Sequence, residues 1–186
     1  MLLENKKWVA FFSHTGNEIY NVSKAIGRFP DRVVTNNPPD SKHVNKKLLN
    51  KVDVVYMRDR PDEEDYDRVI WTDSVVTLHG WMRIIPKRIC KDYEMYNLHP
   101  GLISKYPELK GADPQDRIYN STKTYKDVGC VIHRVTSKLD SGKILFERST
   151  FNHYSGKEML TEALHEIAGD MWKDFLALDY EDFKIK

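Results

Sequence analysis

From Trp8 to His99 the chain alternates short runs of β-branched and aromatic residues with stretches of helical period. Strands separated by helices cannot close as hairpins. They pair in parallel through crossovers, and a parallel sheet needs helices over its faces. This alternation confines the chain to an open, mostly parallel α/β architecture. The spacing predicts strands over Trp8–Ser13, Arg32–Thr35, Val52–Met57, Ser74–Gly80 and Met95–His99. Between them, Asn17–Phe29 carries Ile19, Val22, Ile26 and Phe29 at helical spacing. Ser41 is placed to cap a helix running to Lys51, after the loop Asn36-Asn37-Pro38-Pro39-Asp40. The charged run Asp59–Asp67 reads as a surface loop and short helix, and Pro86–Tyr93 as a helix with proline near its first turn.

After His99 the pattern changes. Leu102–Asp127 is weakly periodic and reads as a long loop, the kind usually kept for function or motion. Gly129–Leu139 and Lys143–Phe151 read as two strands joined by the turn Asp140-Ser141-Gly142, which adds an antiparallel hairpin. Glu158–Leu178 is the clearest helix, with Leu160, Leu164, Ile167, Met171 and Phe175 as its buried stripe. There is no internal repeat and no interdomain linker, so a single catalytic domain over residues 1–186 is expected.

Four segments carry chemistry-bearing side chains. In Asn97-Leu98-His99-Pro100, residues two apart on a strand face the same way. An amide donor and an imidazole therefore project together at a strand's C-terminal end, where open α/β sheets bind ligands. Such a pair can hold a developing oxyanion and move a proton. A strand end with a capping Asn and a satisfied His looks the same in sequence. Leu139-Asp140-Ser141-Gly142 offers a carboxylate that could raise the basicity of His99, with Gly142 allowing backbone to approach a flat ligand; it is equally a plain turn. Gly80-Trp81-Met82-Arg83-Ile84-Ile85 is apolar around one arginine and could wall a pocket for an aromatic heterocycle. Ser13-His14-Thr15-Gly16-Asn17 runs from strand into helix, where backbone N–H groups favour anions. With one glycine and no following lysine it is neither a dinucleotide fingerprint nor a P-loop.

Net charge is +1, so the clear basic excess of a nucleic-acid binder is missing and no nucleic-acid partner is expected. Cys90 and Cys130 have no ligand spacing, no metal is expected, and a reducing cytoplasm is the natural compartment. The apolar run Trp8–Phe12 is too short for a signal-peptide core or a membrane span.

These four segments, in this order, resemble the folate-dependent formyltransferase family. The resemblance covers about Trp8 to Leu176 and is sharpest in VVTLHGWMRIIPKRICKDYEMYNLHPGLISKYP and GCVIHRVTSKLDSGKIL. It implies a Rossmann-like formyltransferase fold and 10-formyltetrahydrofolate as co-substrate. The acceptor would be a small, phosphorylated amine, glycinamide ribonucleotide first, and the setting purine biosynthesis. By position, Asn97 would bind the formyl oxygen, His99 would shuttle a proton, and Asp140 would charge-match His99. Met82, Arg83, Ile84 and Ile85, with Leu139, Ser141 and Gly142, would line the folate pocket. Thr15, Gly16 and Asn17 would meet the acceptor's phosphate, and His165 or Glu166 its ribose. Gly111-Ala112-Asp113-Pro114 departs from the ribonucleotide enzymes and looks more like the methionyl-tRNA and sugar-nucleotide formyltransferases. A sugar-nucleotide or other amino-nucleotide acceptor is therefore the alternative, and a non-catalytic folate-binding regulator the alternative of another class. Either a monomer or a homodimer is compatible with the sequence.

Overall fold

The computed structural model describes residues 2–177. Seven strands form one sheet: β1 (Lys7–Phe12), β2 (Arg32–Thr35), β3 (Asp53–Tyr56), β4 (Ser74–His79), β5 (Glu94–His99), β6 (Asp127–Arg134) and β7 (Ile144–Phe151). Their spatial order is β3-β2-β1-β4-β5-β6-β7. The first five are parallel, and β6 and β7 are antiparallel to their neighbours. The order reverses between β1 and β4, so the crevice past their C-terminal ends is the place for a ligand.

Alternation along the central strands builds two cores. Trp8, Ala10 and Phe12 of β1 face one, with Leu164, Trp172 and Phe175 of α6 (Lys157–Ala177). Val9 and Phe11 face the other, with Tyr66 of α3 (Glu63–Val69) and Ile89 of α4 (Lys87–Asp92). The five β1 residues from Trp8 to Phe12 are all buried, which explains why this strand reads as a continuous apolar run. α1 (Asn17–Ile26) buries Ile19, Val22 and Ser23. On α6 the buried stripe contains Ala168 and Trp172, while Ile167 is only partly buried. The last residue of the predicted C-terminal helix, Leu178, lies outside the described residues.

Three local predictions differ from the structure. The helix expected from Ser41 to Lys51 is only α2 (Lys46–Leu49), because Asn45 takes the cap: its side chain accepts from the N–H groups of Lys47 and Leu48. The stretch after Leu102 is not bare loop. It holds a short 3-10 turn at Pro107–Leu109 and α5 (Pro114–Asn120), anchored by buried Tyr106, Leu109, Ile118 and Tyr125. Finally, Asp140-Ser141-Gly142 is not a tight hairpin turn. β6 ends at Arg134, five residues before the expected Leu139, and the Arg134 N–H donates to the Lys143 carbonyl across a wider connection. The β6–β7 register also skips Leu145, a bulge beside His133.

Gly142 is glycine for a packing reason. A Cβ there would lie 1.7 Å from the Arg134 carbonyl oxygen, which is backbone and cannot swing away. Gly142→Ala is expected to cost about 3 kcal/mol, the upper range for overpacking. Urea unfolding should show this as a lower midpoint with an unchanged slope; an unchanged midpoint would contradict it.

Candidate active site

The C-terminal end of β5 delivers Asn97 and His99 to the face that Met95 occupies deeper in the core, as residues two apart on a strand must. Antiparallel pairing sets His133 of β6 directly opposite Asn97. The Asn97 amide lies 3.2 Å from His133 Nε2. The wide connection after β6 then brings Asp140 back over both strands. Its Oδ2 is 3.3 Å from His99 Nδ1, and its Oδ1 is 3.4 Å from His133 Nε2. The Gly111 N–H donates to Oδ2 at 2.8 Å. Both imidazoles and the carboxylate are buried.

Two carbonyls fix the tautomers. A carbonyl oxygen only accepts, so His99 Nε2 carries a hydrogen toward the Leu109 oxygen at 2.8 Å. His133 Nδ1 likewise donates to the Arg134 oxygen at 2.9 Å. The other ring nitrogens, His99 Nδ1 and His133 Nε2, flank one carboxylate. A proton accepted at either nitrogen is held by the same anion.

Burial pushes His99 below the ordinary imidazole value, and the Asp140 charge and the Leu109 bond offset this only in part. Burial raises Asp140, but the neighbouring His133 and His99 rings and the Gly111 N–H outweigh it and hold the carboxyl below its ordinary value. The site thus favours an ionised carboxylate at Asp140 and resists protonation of His99.

These two shifts predict a two-stage loss of stability on acidification. His99 has a lowered folded value, so below its ordinary 6.5 the unfolded chain binds a proton that the folded ring resists, and stability falls. Asp140 has a depressed folded value. Its contribution is present above the ordinary 3.8 and is lost as pH falls through the folded value. The urea midpoint of the wild type should fall more steeply between pH 7 and 5 than that of His99→Gln. Equal slopes would count against the burial account of His99.

Beside the cluster opens a cleft of about 440 Å³, the open solvent at its mouth included. Leu78, Trp81, Ile84, Ile85, Val135 and Leu139 make its apolar walls, and Asn97, His133, Asp140 and Arg83 its polar groups. Arg83 is braced outside by Asp59 at 2.7 Å, while its Nε is buried with no hydrogen-bond partner among the described residues. A flat heterocycle with ring nitrogens and exocyclic polar groups fits such a lining, because it fills apolar width and satisfies the orphaned donor.

Of the predicted pocket residues, Arg83, Ile84, Ile85 and Leu139 line this cleft, while Met82, Ser141 and Gly142 do not. Met82 is half exposed, and Ser141 bonds back to the Leu139 carbonyl. Thr15, Gly16 and Asn17 sit past β1 at the start of α1, tied to α2 through Asn45, whose N–H donates to the Thr15 carbonyl. The loop also meets the pocket segment, for the Met82 N–H donates to Ser13 Oγ at 3.0 Å. His165 and Glu166 are exposed on α6, and neither bonds to the Asn97–His99–Asp140 cluster. Sequence reading overlooked His133. Its position in a strand gave no signal, because its value lies in a cross-strand register that sequence does not encode.

An open α/β sheet with an Asn, two His and an Asp gathered on β5, β6 and the connection after β6 defines a ligand-binding class, and comparison narrows it. Residues 24–171 match the formyl transferase family, and the chain belongs to that family. A phosphoribosylglycinamide formyltransferase of Dictyostelium discoideum is 31% identical over 84 residues, covering 40% of this chain and 39% of that protein. The match thus spans about two fifths of that curated relative. A phosphoribosylglycinamide formyltransferase structure from Anaplasma phagocytophilum superposes with TM-score 0.80 at 20% identity, over 95% of this chain and 88% of that one. A formyltetrahydrofolate deformylase from Pseudomonas putida KT2440 gives TM-score 0.73 at 22% identity, over 95% of this chain and 66% of that one. At these identities the two structures speak for the fold.

Proposed function

We propose that this protein transfers a formyl group from 10-formyltetrahydrofolate to the amine of a small, phosphorylated acceptor. One observation carries the reading: Asn97, His133 and Asp140 converge on the floor of an apolar cleft, with His99 buried directly behind Asp140. When bound, the folate supplies the activated formyl carbon, and this chain's residues do the rest. Asn97 has one amide hydrogen toward His133 and a second free for an oxygen that gains charge as the amine attacks. Asp140 stabilises the imidazolium formed when the attacking nitrogen gives up its proton. His99 acts as the proton store behind it, and His133 carries the proton at the cleft wall to the departing nitrogen. Arg83, Ile84, Ile85 and Leu139 hold the heterocycle in place.

Glycinamide ribonucleotide is the first candidate acceptor, in line with the names of the Dictyostelium and Anaplasma proteins. Backbone N–H groups of Thr15, Gly16 and Asn17 would meet its phosphate at the start of α1, and His165 or Glu166 its ribose. The sugar-nucleotide reading rests on Gly111-Ala112-Asp113-Pro114, which here turns the chain into α5. The test is to follow folate deformylation by absorbance with glycinamide ribonucleotide, with an amino-sugar nucleotide and with no acceptor. Turnover with the first is expected. Turnover only with the second would move the acceptor, and equal turnover without amine would mean hydrolysis. Folate binding without turnover would overturn the enzyme reading in favour of a binding protein.

A further inference from the structure

Arg117, on α5, lies outside the cleft and plays no part in the mechanism above. Its guanidinium nevertheless reaches the carbonyls of four consecutive residues. Nη1 donates to Ala112 at 2.6 Å, and Nη2 donates to Leu109 at 2.7 Å, to Lys110 at 2.9 Å and more weakly to Gly111 at 3.3 Å. Gly111 within this segment and Asp113 directly after it have left-handed backbone, at φ 92° and φ 50°. That curls the segment so that successive carbonyls converge on one planar cation. Gly111 suits such a position because it has no Cβ, whereas Asp113 holds it at some cost.

The same segment makes both backbone contacts to the buried pair. The Leu109 carbonyl receives His99 Nε2–H, and the Gly111 N–H is given to Asp140 Oδ2. Leu109 O is therefore shared by Arg117 and His99. One guanidinium thus sits one bond away from each of the two groups that must stay fixed for proton transfer.

We infer that Arg117 is a positioning residue: by gathering the 109–112 carbonyls it fixes which His99 nitrogen keeps its hydrogen and holds the Gly111 N–H on Asp140. The inference rests on the reading of His99 and Asp140 as the proton-handling pair. A lysine in its place would keep the charge but not the planar fork that meets several carbonyls at once. Arg83, by contrast, lines the cleft and pairs with Asp59, whereas Arg117 spends its two Nη groups on backbone carbonyls.

The test compares the full-length protein with Arg117→Lys and Arg117→Met. Nitrogen NMR of the histidine rings reads the His99 tautomer, and amide exchange reads Gly111. In the wild type His99 should show a single Nε2–H tautomer and Gly111 a protected amide. In both variants His99 should become a tautomer mixture, and Gly111 should exchange roughly tenfold faster or more. Turnover should fall roughly ten- to a hundredfold with the folate KM within about twofold, because geometry is lost and not the pocket. Unchanged His99 and Gly111 signals would overturn the inference, as would full recovery of all three readouts in Arg117→Lys. If Arg117→Met fails to fold, Arg117→Lys decides. If no protein, wild type included, turns over folate, the catalytic reading fails while the NMR arms still judge the positioning claim.

Discussion

Asn97→Ala should reduce turnover about a hundred- to a thousandfold, which corresponds to losing one preorganised donor worth roughly 3–4 kcal/mol. The argument is geometric. Asn97 is half buried at the cleft floor, and His133 holds its amide at 3.2 Å before any ligand arrives. The donor is thus oriented in advance, so in the proposed reaction no reorganisation is needed as charge develops on a formyl oxygen. The loss should appear in kcat with little change in the folate KM, since the interaction strengthens only in the transition state. Steady-state kinetics with glycinamide ribonucleotide would measure it. A variant whose kcat stays within about threefold of wild type would leave Asn97 as a partner of His133 only.

Asp140→Asn should be at least as damaging, on the order of a thousandfold or more in turnover. Asp140 sits at φ 43°, a left-handed conformation that asparagine also tolerates, so the substitution removes charge while sparing the backbone. An amide cannot neutralise an imidazolium at His99 Nδ1 or His133 Nε2. The proton taken from the amine then has no stable resting place inside the protein. Without the carboxylate His99 should also become less basic still, because Asp140 is what offsets its burial. The pH–rate profile and an imidazole titration should both register this. Near-normal rates in Asp140→Asn would sink the charge-matching role and leave a turn residue.

Much of this was legible in the sequence. The parallel α/β order, the added antiparallel strands and the long last helix follow from hydrophobic period, which is local. Asn97 and His99 were legible as a pair for the same reason, since strand geometry alone sets their common face. The helix after Asn45 and the end of β6 at Arg134 were misread because each was decided by a competing hydrogen bond. Asn45 outbid Ser41 as the cap, and the Arg134–Lys143 bond opened the connection that a tight turn would have closed.

The sequence by itself determined that Asn97 and His99 share a face and at which end of the sheet they emerge. Tertiary structure decided their partners. Asp140 meets two histidines, one of them unforeseen, because antiparallel pairing sets His133 opposite Asn97 and a nine-residue connection folds back over both. It also decided that Gly142 serves the Arg134 carbonyl and that Arg117 reaches the loop beside His99. The physical reason is range. Strand faces and helix stripes are set by neighbours a few residues away, whereas register and loop closure depend on contacts between residues far apart in the chain.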